Sequence, residues 1–379
     1  MIFLDINTFF SSKAGGIRTY HQAKIAWFQG GTEHHYYLVS PGPKHQVRKL
    51  GPRVTLVEVY GIAVTGDPSG YRILLDYVRI FDLIRHVKPD VLEAGDPWFT
   101  GLFCLALKKF GLYKGLLVSF YHSDPIPSYL VPWARRGRFR TLKRVLASLA
   151  GRLFYRMQSS YDLTTVSSRT MEVSLRKRGI RSVAYLPFGV PAAFLISAPN
   201  RGEGRFRLLY AGRLDREKGI ELLIGVLPRL LDNENVEVSV IGWGSFTAHF
   251  LAYAHPRFTY LGFFEDPEAV RGIYDRHDIL LAPGPFETFG LGVLEAMARG
   301  LVVVGPDGGG TGELLRQAAS PYMFKSGDQS DFLRAVKAAL ADNLTPHSER
   351  SRALALRYGT LDESVGRMAD HYTSHPGLR

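Results

Sequence analysis

The chain holds a single cysteine, Cys104, in 379 residues. That excludes an intrachain disulfide framework and fits a reducing, cytoplasmic setting. Cys104 stands in the apolar run Leu102-Phe103-Cys104-Leu105 and is expected to be buried filler rather than a nucleophile. No stretch of eighteen apolar residues occurs, so no membrane-spanning helix is expected. The first residues, Met1-Ile2-Phe3-Leu4-Asp5, lack a basic leader and are interrupted by Asp5, which suits a strand and not a signal peptide. Asp-x-Asp is absent and no His or Cys cluster has metal-ligand spacing, so neither a metal nor any other cofactor is implied. Acidic residues are also missing from all of 125–161.

What is present is ordinary in bulk: 46% hydrophobic and 22% charged residues suit a globular protein, and the length suits two domains. The net charge of +12 is unevenly placed. Residues 1–190 carry 27 Lys or Arg against 12 Asp or Glu, whereas 191–379 carry 20 against 23. Such a split points to an acidic partner for the first half only. Strand-like runs alternate with helical patterns, predicting two α/β units with parallel sheets. The expected strands are 2–5, 35–39, 54–59, 91–93, 116–120, 163–166 and 183–186, then 206–211, 236–241, 258–261, 279–282 and 301–304. Pro187-Phe188-Gly189-Val190-Pro191 and the Pro/Gly-rich 197–202 mark a linker. Domains are therefore expected at 1–190 and 191–360, with a helical tail from 361 to 379.

The most informative stretch is 281–300, Leu-Ala-Pro-Gly-Pro-Phe-Glu-Thr-Phe-Gly-Leu-Gly-Val-Leu-Glu-Ala-Met-Ala-Arg-Gly. A strand over 278–282 runs into a Pro-Gly-Pro turn, a glycine loop and a helix over about 292–299, stopped by Gly300. Unpaired amides and the helix dipole make the loop an anion site. Glu287 and Glu295 would repel an anion, so they serve another part of the ligand; ionised carboxylates accept hydrogen bonds, and sugars donate them. The stretch suits a ligand with both phosphate and sugar.

Pro-Phe-Glu-Thr-Phe-Gly-Leu-Gly-Val-Leu-Glu-Ala-Met-Ala resembles the Glu-x7-Glu signature of retaining GT-B glycosyltransferases of family 4. The resemblance implies a GT-B fold, an α/β architecture of two Rossmann-like domains facing each other across a cleft that holds the substrates, with the C-terminal helix of 361–379 crossing back to the first domain. It assigns Glu287 to the donor sugar, Glu295 to the nucleotide ribose, and the amides near Phe289, Gly290 and Leu291 to the sugar and diphosphate. Leu209-Tyr210-Ala211-Gly212-Arg213-Leu214-Asp215-Arg216-Glu217-Lys218-Gly219 resembles the family's Gly-Arg-Leu…Lys-Gly motif, in which the Arg and Lys grip the diphosphate. Those roles fall on Arg213 and Lys218. Ile241-Gly242-Trp243-Gly244 matches the Gly-x-Gly turn beneath the nucleotide. Leu261-Gly262-Phe263-Phe264 lies where relatives bind the base, so Phe263 or Phe264 flanks it or packs in the core. Gly308-Gly309-Gly310-Thr311-Gly312-Glu313 resembles the turn that follows, with Glu313 structural.

In the first half, Ser11-Ser12-Lys13-Ala14-Gly15-Gly16-Ile17-Arg18 follows the first strand, where a glycine pair lets backbone approach a ligand. It resembles the family's Gly-Gly loop against the donor diphosphate and acceptor; a plain turn is the other reading. Phe120-Tyr121-His122-Ser123-Asp124-Pro125 looks like the His-x-Asp segment of membrane-lipid mannosyltransferases, where the His contacts the donor sugar. The following Pro125-Ile126-Pro127 departs from the more usual Phe-Pro. The acid-free segment contains Arg135, Arg136, Arg138, Arg140, Lys143, Arg144, Arg152 and Arg156. Leu142, Val145, Leu146, Leu149 and Leu153 recur there at helical spacing, giving an amphipathic helix with a cationic flank. Three readings stay open for 133–156: a solvated face over an ordinary core, an anionic membrane contact or phospholipid-acceptor site, and a site for a phosphorylated soluble acceptor. Nucleic acid is disfavoured, since no aromatic stacking platform accompanies the charge.

The resemblance thus implies a metal-independent transferase that moves a hexosyl unit with retention from a UDP- or GDP-linked sugar to an acceptor hydroxyl, lipid-linked or otherwise anionic. A cytoplasmic enzyme, peripheral at the inner membrane face, is the matching location. Two other classes remain: a sugar-nucleotide epimerase or hydrolase of the same fold, and a silent nucleotide-sugar-binding protein.

Overall fold

The computed structural model describes residues 1–10, 15–64, 71–135, 139–196 and 204–378. The chain forms two compact units, Met1–Leu186 with Asp362–Arg379, and Pro187–Leu361. The passages between them run side by side within the second unit: Val190 N donates to the carbonyl of Gly359, and Leu361 N to that of Val190.

The first unit is built on strands β1 (Ile2–Ile6), β2 (His35–Gly42), β3 (Gln46–Lys49), β4 (Val54–Ala63), β5 (Arg72–Leu74), β6 (Val91–Ala94), β7 (Leu116–Phe120), β8 (Leu163–Val166) and β9 (Val183–Tyr185). Their order is β3-β4-β2-β1-β6-β7-β8-β9, with β5 on β4. All pairings are parallel except those of β3 and β5 with β4. Strands β1, β6, β7 and β8 are buried along nearly their whole length, as parallel strands covered by helices on both faces must be. The order reverses between β1 and β6, where loops at the carboxyl ends diverge.

A charged network crosses this unit. Asp5 and Glu93 are register partners on β1 and β6. Lys24, from helix Gly16–Gln29, donates to Asp5 at 2.5 Å and to Glu93 at 3.2 Å, and all three are buried. Tyr36 donates to Asp5 at 2.8 Å, and Tyr372, from the tail helix Leu361–Thr373, to Glu93 at 2.9 Å. Burial, with the Glu93 charge, pushes the Asp5 carboxyl up to about 7 against the pull of Lys24. Cys104 is buried, and desolvation raises its thiol.

The second unit carries β10 (Phe206–Ala211), β11 (Val236–Ile241), β12 (Phe258–Gly262), β13 (Ile279–Leu281), β14 (Val302–Pro306) and β15 (Met323–Phe324). The sheet is parallel throughout, in the order β12-β11-β10-β13-β14-β15. That is the doubly wound order, reversing between β10 and β13. Leu208, Val238 and Val304 lie in one apolar cluster and Leu209, Ile241 and Val303 in the other, one per face. Strands β3, β5 and β15 are additions to the expected set: β3 is exposed at every position and the others span only three and two residues, so none carries an apolar pattern.

Candidate active site

The second unit carries the predicted donor-binding residues other than Gly15 and Gly16, most of them beyond the carboxyl ends of its strands. Gly212 and Gly242 follow β10 and β11, and a Cβ on Gly242 would lie 1.8 Å from the Gly212 carbonyl oxygen. Only glycine permits that approach. The loop after β10 then meets the turn after β13: Gly219 has φ +71°, and a Cβ there would stand 2.4 Å from the Pro283 carbonyl oxygen.

This contact places the charges. Lys218 closes a single 3-10 turn, Arg216–Lys218, and its ammonium donates to Oε1 of Glu287 on the loop after β13. Burial would raise the Glu287 carboxyl, but the charge and hydrogen bond of Lys218, with the nearby Arg213 guanidinium, hold it below its ordinary range. Arg213 donates to Asp215 at 3.1 Å and pairs with Glu217 at 2.6 Å. Asp215 also accepts from the Ser245 amide at 2.9 Å and hydroxyl at 2.8 Å, tying the loops after β10 and β11 together. Asp215 and Glu217 thus orient a cation that sequence reasoning singled out without them; the alternating charges of 213–218 were the available signal.

Helix Leu291–Ala298 begins at Gly290, in the left-handed region at φ +90°. No side chain caps it, so its first amides remain open to a ligand. The Phe289 ring is buried, edge-on to Phe188 and Tyr358, leaving its backbone for the loop. Glu295 is half-buried and its carboxylate has no hydrogen-bond or ion-pair partner among the described residues; desolvation pushes it up to about 8. The Glu287 carbonyl accepts from the Gly310 amide at 2.7 Å, joining this loop to the first turn of helix Gly309–Gln317. In the first turn of that helix Thr311 presents a buried hydroxyl without a hydrogen-bond partner among the described residues, 3.3 Å from where a Cβ of Gly290 would stand. It is a further polar group at the site that the sequence reading passed over; only its glycine-rich setting hinted at it. The Phe263 ring is exposed and edge-on to Trp243 at 6.3 Å, whereas Phe264 packs against the core. Glu313 is buried.

In the first unit, His122 follows β7. Its Nδ1 lies 3.3 Å from the Phe120 carbonyl, with the Phe9 ring edge-on at 6.1 Å. Burial lowers its pKa, partly opposed by that carbonyl and by Asp96 and Glu93, so the imidazole is neutral at pH 7. Asp124 is buried and accepts from Arg178 at 2.8 Å and Tyr155 at 3.2 Å. Gly15 precedes helix Gly16–Gln29, and among the described residues no atom lies within 4 Å of where a Cβ of Gly15 or Gly16 would stand. The rest of that loop, Ser11 to Ala14, lies outside the described residues, as do Arg136, Arg138, the side chain of Arg135 and the linker residues 197–202. Among the described residues no helix is long and apolar enough to cross a membrane, and no group of three His, Cys, Asp or Glu side chains could hold a metal ion.

Two family models match separate parts of the chain: Glycosyltransferase Family 4 over residues 15–194 and Glycosyl transferases group 1 over 205–342. A GDP-mannose-dependent alpha-(1-6)-phosphatidylinositol dimannoside mannosyltransferase of Mycobacterium tuberculosis is 26% identical over 79% of this chain and 78% of its own. A GDP-mannose-dependent alpha-mannosyltransferase of Corynebacterium glutamicum is 29% identical over 89% of this chain and 81% of its own. Among solved structures, the sucrose-phosphate synthase of Thermosynechococcus elongatus superposes with a TM-score of 0.72 at 18% identity, covering 98% of both chains. The chain belongs to the group 1, family 4 glycosyltransferases, enzymes of GT-B fold that use nucleotide sugars.

Proposed function

We propose that this enzyme transfers a hexosyl unit from a nucleoside-diphosphate sugar to an acceptor hydroxyl with retention at the anomeric carbon and without a metal ion. The observation that carries this is the meeting of Arg213, Lys218 and Glu287 where the strand order reverses, beside the uncapped helix that bears Glu295.

As the glycosidic C–O bond breaks, its electron pair stays on the diphosphate, which gains negative charge. A helix N-terminus offers an anion about 0.3–1 kcal/mol. A unit charge 4 Å away in partly shielded surroundings offers about 4 kcal/mol. Arg213 and Lys218 therefore dominate the stabilisation and take the place a divalent ion would have. Glu287, already in an ion pair, accepts from the sugar hydroxyls rather than attacking carbon. Retention then follows a front-face route: the departing phosphate oxygen takes the acceptor's proton while the acceptor oxygen bonds to the anomeric carbon on the same side. Glu295 holds the ribose hydroxyls, Phe263 flanks the base, and the amides at Phe289, Gly290 and Leu291 with Gly212 and Gly242 admit the diphosphate; Gly15 and Gly16 keep the ligand-facing role that the resemblance implies. His122, neutral, contacts the transferred sugar.

The names of the two relatives make GDP-mannose the first donor to try, and one of them names a phosphatidylinositol lipid as acceptor. A lipid-linked or otherwise anionic acceptor suits the basic first half, and a cytoplasmic enzyme at the inner membrane face suits such an acceptor. The test is a thermal-shift screen of nucleotide sugars, followed by transfer assays with lipid and sugar-phosphate acceptors. The expected result is donor consumption that requires an acceptor and survives EDTA. Consumption without acceptor would identify a hydrolase or epimerase, and binding without turnover a sensor.

A further inference from the structure

Helix Arg140–Gln158 turns Ala147, Gly151, Phe154 and the polar Gln158 into the first unit. Its leucine stripe points the other way. Leu142, Val145, Leu146, Leu149 and Leu153 are each between 49% and 70% exposed. The ordinary-core reading of that stripe is therefore wrong: the close approach to the unit is made through Ala147 and Gly151. Five large aliphatic side chains on one arc, over about 16 Å of helix, exceed the scattered exposed apolar residues usual on a surface.

We infer that this helix docks on an anionic lipid surface. The stripe is the apolar half of an interfacial helix. The charge is the other half: Arg140, Lys143, Arg144, Arg152 and Arg156 lie on the helix, and no acidic residue occurs anywhere in 125–161. By helical spacing Arg152 lies just beyond the Val145 edge of the stripe, and Arg156 continues the stripe at its C-terminal end. Lys143 flanks the stripe on its other edge, its ammonium 5.1 Å from the ring centre of the exposed Trp133. Trp at the edge of a basic, apolar face is the side chain favoured at headgroup depth. A second copy of the chain would set like charges face to face. Nucleic acid would need stacking rings where this stripe offers aliphatic ones. Docking requires no turnover, so it stands apart from the reaction proposed above.

The experiment is cosedimentation of the full chain with phosphatidylcholine vesicles, plain or doped with phosphatidylglycerol, at low and physiological salt. Partitioning should be about tenfold or more stronger on the anionic vesicles and fall with salt. Leu149→Gln/Leu153→Gln, which keeps the charge and alters exposed positions only, should lower it by about tenfold at an unchanged melting temperature. Arg152→Gln/Arg156→Gln should lower it as well. Equal binding to plain and anionic vesicles, binding indifferent to the leucine pair, binding to polyglutamate but not to vesicles, or a dimer in solution that the leucine variant dissolves would each overturn the inference.

Discussion

The Lys218 ammonium bonds to the Glu287 carboxylate, joining a cation that follows β10 to an anion that follows β13 where the strand order reverses. The pair holds the half-buried Glu287 carboxyl below its ordinary range and keeps Lys218 beside the loop that ends at Gly290. Charge in this site is thus set before any ligand arrives.

Lys218→Ala should release that hold. Desolvation would then act on Glu287 opposed only by Arg213, and its carboxyl should titrate above the ordinary glutamate value instead of below it. A carbon-13 NMR titration, with the line assigned by its loss in Glu287→Gln, reads this directly; a Glu287 that titrates alike in both proteins would contradict it.

Glu295 is the reverse case, a half-buried carboxyl without a partner among the described residues, shifted from 4.5 to about 8. Its folded-state pKa is raised, so its contribution to stability is complete below about 4.5 and is lost as pH climbs through about 8. Ribose hydroxyls donating to it favour the ionised form, so nucleotide binding at pH 7 should release a proton. Calorimetry in buffers of different ionisation enthalpy measures that release. Glu295→Gln should abolish it and weaken nucleotide affinity about tenfold or more, the worth of a hydrogen bond to a charged group. Unchanged affinity would remove Glu295 from the ribose.

Lys24 sits between two buried carboxylates. Lys24→Met should leave them uncompensated and cost about 3–5 kcal/mol of unfolding free energy. Urea unfolding monitored by circular dichroism gives the value; a loss within error of zero would show that the network contributes nothing to the first unit.

Much of this was legible because it is local. Strands 116–120, 163–166, 206–211 and 236–241 are short stretches rich in β-branched, aromatic and leucine residues in parallel sheets, and their limits agree with the expected ones. Gly219 and Gly242 mark close approaches at the ends of motifs whose spacing is visible in the chain. What was not legible depends on distant partners. A lysine on a helix looks solvated until Asp5 and Glu93, 19 and 69 residues away, close around it. The spacing of Leu142, Val145, Leu146, Leu149 and Leu153 defines a face but not its direction; Ala147 and Gly151 lie on the opposite, buried face, where Gly151 backs onto Ile126.

The most direct test of the central claim is single-turnover transfer, alongside calorimetric donor affinity, for wild type, Arg213→Ala and Lys218→Ala, each with and without EDTA. If the two cations neutralise the departing diphosphate, each variant should lose about a hundredfold or more in rate, corresponding to about 3 kcal/mol of barrier, while donor affinity falls by less. EDTA should change nothing. Full turnover in either variant, or wild-type activity that disappears with chelator, would contradict it.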